Sequence, residues 1–361
     1  MEPVTDAVLL VPGLLGFNRF ASFSYFADRV ATAIRVGVEA RTGRPVLVAA
    51  LGTLPAAPLA QRQLALFENI ENLARGVPSI ERVHLVGHST GGLDAYLAVC
   101  DLALSGSFPR GRDLIRSVVT FAAPLLGTDL VQHDAIRLLA GRLRAASGTI
   151  DLVKLAVSLR KQLINNVTAD DVAAGFMADP REALRYLWEL LRHRELLLEL
   201  SPENIANLLR RCGRATDRVP LCCFATWTPV DPKRGKRNAT LFTRLQAMTA
   251  AGGNDEEDPS VVANIERMTK GQIFTAGPAV ELDPHSNDGL VNTARQLVAG
   301  ARLGGVVVAD HIDVVGQYNR TNPVDNSTIV YELLTSGAGF NDEVFFALFA
   351  AISRTIVEAI P

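Results

Sequence analysis

Residues 83–98 read VHLVGHSTGGLDAYLA, with a serine set between glycines after an apolar run and before a helix-like pattern. Gly87-His88-Ser89-Thr90-Gly91 fits G-x-S-x-G, the pattern of a strand–turn–helix elbow that pushes a serine hydroxyl out at the end of a sheet. Such a turn strains the serine backbone. It also needs small residues two positions either side, so that strand and helix approach closely. The first amides of the following helix then face any negative charge that develops beside the hydroxyl. The plain alternative is a glycine-rich turn. RVHLV before the motif and GGLDAYLAVC after it supply the strand and the helix that an elbow requires.

A serine hydroxyl is a poor nucleophile near neutral pH. It needs a base, and the base needs an orienting acid. The chain has six histidines. His84 lies on the expected strand. His88 adjoins Ser89 and should point away from it, supporting the turn. His133 and His193 fall in or near a helical block, and His285 lies just before an acidic turn. His311 follows the strand-like GGVVVA late in the chain. The chain order Ser, acid, His makes it the expected base. Asp288 in SNDGLV is the favoured acid, with Asp283 as competitor and Asp310 too close in sequence to His311. An Asn-Asp-Gly stretch also reads as an ordinary turn. An oxyanion formed at Ser89 needs two N–H donors. Thr90 should give one. The loop VPGLLGF (11–17) should give the other through Leu14, with Gly13 permitting the turn.

These residues need a scaffold that brings residues 14, 89, 288 and 311 together. The runs AVLLV (7–11), VLVAAL (46–51), VHLV (83–86), SVVTFAA (117–123), PLCCFAT (220–226) and GGVVVA (304–309) are apolar without alternation. Such runs suit strands buried on both faces, as in a parallel sheet. Helical patterns such as SYFADRVATAIRVGVEA (24–40) lie between them. The alternation predicts an α/β chain with helices on both sheet faces. From 131 to 215 the pattern turns helical: Leu152, Leu155, Ala156, Leu159 and Leu163 form one stripe, and Leu184, Leu187, Trp188 and Leu191 another. Asp179-Pro180 and Ser201-Pro202-Glu203 read as helix starts. The expected organisation is a core of 1–130 and 216–361 with a helical insertion at 131–215. Residues 228–270 are more polar and read as a surface excursion.

The bulk properties bound the rest. A length of 361 residues suits one large domain with an insertion, or two domains. At 48% hydrophobic and 20% charged residues, a sizeable core is available. A net charge of −2 argues against a nucleic-acid partner, and DPKRGKRN (231–238) is short enough to be a solvated loop. The N-terminus has no basic region and its apolar run is broken by Pro12 and Gly13, so no signal peptide is expected and a cytoplasmic location follows. No run is long enough to span a membrane, so any contact with a lipid interface would be transient. Cys100, Cys212, Cys222 and Cys223 are too few for a disulfide framework, and the last two read as core thiols. Oligomeric state leaves no mark.

PGLLGF, LVGHSTGG, FAAPLLGTDL, LSPENI, NDGLV and DHIDVVGQ occur in that order between residues 12 and 317. Through them the chain resembles the bacterial triacylglycerol lipases of the Pseudomonas and Burkholderia type, within the α/β hydrolases. The resemblance implies an α/β-hydrolase fold and a lid formed by the insertion. It implies Ser89, Asp288 and His311 as nucleophile, acid and base, and Leu14 and Thr90 as oxyanion amides. It also implies a structural calcium on Asp313 and the carbonyls of Gln317 and Thr321, with Asp258 a candidate second carboxylate; no cofactor is required for the chemistry itself. The chain departs from the family in having Pro12-Gly13 where His-Gly is usual, and Ala294 near a usual half-cystine. The expected activity is hydrolysis of lipophilic carboxylic esters. Acyl transfer to an alcohol by the same triad is the alternative, and a hydrolase fold that only binds a ligand is a third reading.

Overall fold

The computed structural model describes residues 4–14, 19–20, 23–54, 57–100, 108–133, 195–212, 219–230, 241–251, 258–277, 279–321, 328–329 and 336–360. Seven strands form the main sheet: β1 (Asp6–Val11), β2 (Val46–Ala50), β3 (Arg82–His88), β4 (Ile115–Phe121), β5 (Leu221–Trp227), β6 (Ile273–Phe274) and β7 (Arg302–Val308). Their spatial order is β2-β1-β3-β4-β5-β7-β6, and every neighbouring pair is parallel. Among the described residues the α-helices are α1 (Asp28–Thr42), α2 (Leu59–Gly76), α3 (Thr90–Ala98), α4 (Pro109–Leu114), α5 (Glu195–Glu199), α6 (Pro202–Arg211), α7 (Leu241–Ala251), α8 (Pro259–Thr269) and α9 (Asp342–Val357).

The strands are apolar throughout because both of their faces are covered. Along β1, Ala7, Leu9 and Val11 pack with Leu66, Phe67 and Ile70 of α2 and with Leu93 and Leu97 of α3. The intervening Val8 and Leu10 pack on the other face, with Val30, Ile34 and Val38 of α1 and Phe345, Phe349 and Ile352 of α9. Each large side chain so buried contributes roughly 1.5–3 kcal/mol, so neither face tolerates a polar alternation. Six strands occur where the apolar runs placed them. The two-residue edge strand β6 is too short to leave a pattern in the sequence.

Two expectations change in detail. Helix α1 begins at Asp28, not at residue 24, because Tyr25 and Phe26 are buried in the approach to it and the Ala27 amide is taken by the Val315 carbonyl at 2.9 Å. The polar stretch 228–270 is no simple surface excursion. It contains α7 and α8, which bury Phe242, Gln246 and Thr249, and Val261, Asn264 and Met268. The insertion contributes no strand among the described residues. Its two leucine stripes, the start at Asp179-Pro180 and His193 lie outside them. At its end, Ser201 caps α6 by accepting from the Asn204 amide at 3.3 Å, with Pro202 in the first turn, as the sequence indicates. All four cysteines are free. No described helix is long and apolar enough to cross a membrane.

Candidate active site

The C-terminal ends of β1, β3 and β7 lead directly into Pro12-Gly13, Ser89 and His311, at the edge where parallel α/β sheets bind ligands. Ser89 connects β3 to α3 with φ 55° and ψ −133°, a left-handed conformation for a residue with a side chain. A strained backbone of this kind costs about 1–3 kcal/mol and persists only where its surroundings enforce it. They do so here. The Ser89 amide donates to the Phe121 carbonyl at 3.1 Å. A side chain on Gly87 would strike the backbone of Gly91, and one on Gly91 would strike the backbone of Val11.

The Ser89 hydroxyl is 2.9 Å from His311 Nε2, and His311 Nδ1 is 2.9 Å from Asp288 Oδ2. All three residues are buried. Asp288 is held by donors on both oxygens: Oδ1 accepts from the Leu290 and Val291 amides at 3.0 and 2.9 Å, and Oδ2 accepts from the Thr226 hydroxyl at 2.5 Å and Gln296 Nε2 at 3.3 Å. Asp288 thus forms a local turn through one oxygen and faces His311 through the other. The loop carrying it is moored to the end of β5, where the Thr228 amide donates to the Asn287 carbonyl at 3.1 Å. Asp283 instead receives the His285 amide and the Ser286 hydroxyl, and Asp310 receives the amides of Ile312 and Asp313. Among the described residues, Asp288 is the carboxylate bonded to His311.

The Pro12-Gly13 loop passes directly over the serine. A Cβ on Gly13 would lie 2.7 Å from Ser89 Cβ and 2.5 Å from the Tyr25 hydroxyl. Arg62 of α2 holds the loop from the other side. Its Nη2 donates to the Pro12 carbonyl at 3.1 Å and reaches the Gly13 carbonyl at 3.4 Å, while Nη1 donates to the Leu54 carbonyl at 2.8 Å. The guanidinium also meets Asp94 Oδ2 through Nε at 2.8 Å and Nη2 at 2.5 Å, with both side chains fully buried. Burial pushes the Asp94 carboxyl upward in pKa, and the Arg62 charge pulls against it. The Gly13 carbonyl faces Arg62, and the Gly13–Leu14 peptide is trans. The Leu14 N–H therefore points away from Arg62.

No protein-family profile and no curated protein matches this sequence. Solved structures do. Lipase 1 from Pelosinus fermentans gives a TM-score of 0.53 at 13% identity, covering 99% of this chain and 99% of that one. A metagenomic carboxyl esterase gives 0.52 at 17% identity, covering 99% and 78%. EstA from Clostridium botulinum gives 0.51 at 15% identity, covering 100% and 88%. The fold is that of the α/β hydrolases.

Within this α/β-hydrolase fold the remaining sequence candidates take other places. His84 lies on β3, bonded to Ser117 Oγ at 2.8 Å. His88 points away from the Ser89 hydroxyl: Nδ1 meets the Tyr25 hydroxyl at 2.7 Å and Nε2 the His311 carbonyl at 2.8 Å. His285 Nδ1 meets the Ala250 carbonyl at 3.0 Å. Asp258 caps α8 through the Ser260 amide and pairs with Arg295, and so is already engaged. Asp313 is buried, its Oδ2 accepting from the Asp310 amide at 3.0 Å. The Gln317 side chain donates to the Ser24 carbonyl at 2.8 Å, and Thr321 lies on a two-residue ribbon, Arg320–Thr321. No group of three or more His, Cys, Asp or Glu side chains able to hold a metal occurs among the described residues. Reasoning from sequence missed Arg62, Asp94, Tyr25, Thr226 and Gln296. Arg62 left one trace, a cation inside the buried stripe of α2.

Proposed function

We propose that this chain is a carboxylic ester hydrolase acting on lipophilic esters through an acyl-enzyme on Ser89. The observation that carries the reading is the line from the Ser89 hydroxyl through His311 to Asp288, with both links at 2.9 Å and the serine on a strained elbow. Asp288 accepts from Nδ1–H and so leaves Nε2 free to take the serine proton. Ser89 Oγ attacks the ester carbonyl as His311 takes that proton. The imidazolium is stabilised by Asp288 and then protonates the leaving alcohol. Water, activated by the same histidine, releases the acid. The amides of Leu14 and Thr90 are assigned to the developing oxyanion, each worth roughly 3–4 kcal/mol where such donors have been removed. In support, Thr90 is the first residue of α3, where amides have no acceptor within the helix.

Three further parts belong to this proposal. The narrower kinship with the Pseudomonas and Burkholderia lipases rests on the sequence motifs. The insertion at 131–215 is assigned as the lid over the site. The calcium assigned to Asp313 and the carbonyls of Gln317 and Thr321 has one argument in its favour. Asp310 and Asp313 are buried beside each other, and burial raises both carboxyls, Asp310 to about 7, with repulsion from Asp288 adding at Asp310 and repulsion from Asp310 adding at Asp313. The described residues offer no third charged ligand, whereas calcium takes six to eight oxygens. No step of the chemistry depends on it. A chelator is expected to lower the unfolding temperature if the ion is held; an unchanged transition would rule it out.

The test of the main reading is turnover of p-nitrophenyl esters of increasing chain length by the wild type and Ser89→Ala. Loss of at least a thousandfold in kcat is expected, with phosphonate labelling confined to Ser89. Near wild-type turnover by Ser89→Ala would refute the proposal.

A further inference from the structure

We infer that Tyr25 and His88 are positioning residues that lock the oxyanion loop to the backbone of the base, through packing of the Tyr25 hydroxyl on Gly13 and two directed hydrogen bonds that lead on to His311. The inference rests on the roles proposed above for Ser89, His311 and the Pro12-Gly13 loop.

The direction of the chain follows from the donors and acceptors. His88 Nε2 lies 2.8 Å from the His311 carbonyl oxygen, which can only accept, so Nε2 carries the proton. A neutral imidazole then has a bare Nδ1, which must accept. Its partner at 2.7 Å is the Tyr25 hydroxyl, which therefore donates. The same phenol oxygen lies against Gly13, where an added Cβ would come within 2.5 Å of it. The chain reads Tyr25 Oη–H to His88 Nδ1, and His88 Nε2–H to the His311 carbonyl, with the Gly13 backbone packed against the phenol oxygen.

Both ends of this chain belong to the proposed machinery. The Tyr25 hydroxyl and Ser89 Cβ together confine Gly13, and so fix where the proposed Leu14 amide begins. The His311 main chain is held twice: its amide donates to the Asp288 carbonyl at 3.0 Å, and its carbonyl receives His88. Tyr25 and His88 are both buried, so no water replaces a lost link. The His88 ring lies 4.8 Å from the His311 ring, centroid to centroid. Burial, reinforced by His311, holds His88 far below its ordinary pKa. A neutral ring therefore stands beside His311 when it takes up the serine proton.

The test uses the full chain and four variants: Tyr25→Phe, His88→Gln, His88→Phe and the double variant Tyr25→Phe/His88→Phe. Tyr25→Phe removes one oxygen. His88→Gln keeps a side-chain N–H near the Nε2 position, so it covers the case in which His88→Phe fails to fold. The expected result for Tyr25→Phe is a 10- to 100-fold loss in kcat with KM within threefold, since small misplacements of reacting groups cost rates of that order. His88→Gln should lie between wild type and His88→Phe, and the double variant should be no slower than His88→Phe alone. In ¹⁵N spectra of wild type, His88 should show the neutral Nε2–H tautomer. The inference is overturned by Tyr25→Phe with kcat within twofold of wild type, by losses that multiply in the double variant, or by the Nδ1–H tautomer. A wild type that neither hydrolyses esters nor reacts with a phosphonate at Ser89 would sink the hydrolase reading and this inference together. Active wild type with unaffected variants would sink the inference alone.

Discussion

At Ser89 a single residue carries backbone strain, the proposed nucleophile and the helix cap together, and its neighbours are tightly confined. Gly13 shows how little space remains. A methyl there would sit 2.7 Å from Ser89 Cβ and 2.5 Å from the Tyr25 hydroxyl, so the loop would have to move. Gly13→Ala is expected to lower kcat about 100-fold, because a displaced loop would withdraw the Leu14 amide proposed to bind the oxyanion, with only a modest fall in unfolding temperature. Ester turnover measured beside thermal unfolding separates the two effects; full activity would show that the loop plays no part. The residue scale is also where sequence was most legible. The elbow needs glycine at 87 and 91 and an acid and a histidine later in the chain, and these requirements are visible as residue types.

At the scale of elements, α2 acts through one side chain. Arg62 ties the helix to the carbonyls of Pro12 and Gly13 and, through Asp94, to α3. Removing one partner of a buried pair leaves the other charged and unpaired, at a cost of about 3–5 kcal/mol, whereas replacing both with apolar residues is often neutral. Arg62→Met should therefore be strongly destabilised in urea unfolding. Arg62→Met/Asp94→Leu should recover most of that stability but stay catalytically impaired, because nothing then holds the loop carbonyls. Recovery of both stability and kcat would refute the clamp. The pairing was not legible from the sequence. Helical periodicity marks positions 62 and 94 as inward-facing and gives no hint that they face each other.

Across the whole molecule, the sheet separates the Ser89–His311–Asp288 cluster at the C-terminal ends of its strands from a polar anchor at the start of β1. Asp6 begins β1 and receives Arg82 Nε at 2.6 Å and Nη2 at 2.8 Å, with His84 at 3.4 Å. Burial alone would raise its carboxyl, but these bonds more than reverse that and hold it well below the usual carboxylate range. A carboxyl depressed on folding adds stability above its unfolded pKa of about 3.9, and that stability is lost as pH falls through the folded value. Asp6→Asn should cost about 1.5–3 kcal/mol at pH 7, and the difference from wild type should shrink as pH falls below about 4. Urea unfolding at several pH values checks this; a pH-independent difference would contradict it. Esterase activity at neutral pH should be unaffected, because the anchor lies at the opposite end of β1 from Gly13.

What the sequence by itself determined is whatever each segment states about its own surroundings. Apolar runs without alternation meant strands covered on both faces, and six of the seven follow. The spacing of glycines about Ser89 meant a tight elbow, and the late order of Asp288 and His311 meant partners brought back to it. Only the tertiary structure decided which buried polar groups meet. Tyr25 finds His88 63 residues away, and His88 finds the His311 carbonyl 223 residues away. Arg62 reaches Pro12 across 50. The physical reason is that periodicity reports burial, which is a property of one face of one element. A hydrogen bond between elements depends on strand order, and the order β2-β1-β3 is set by how the helices pack over both faces of the finished sheet.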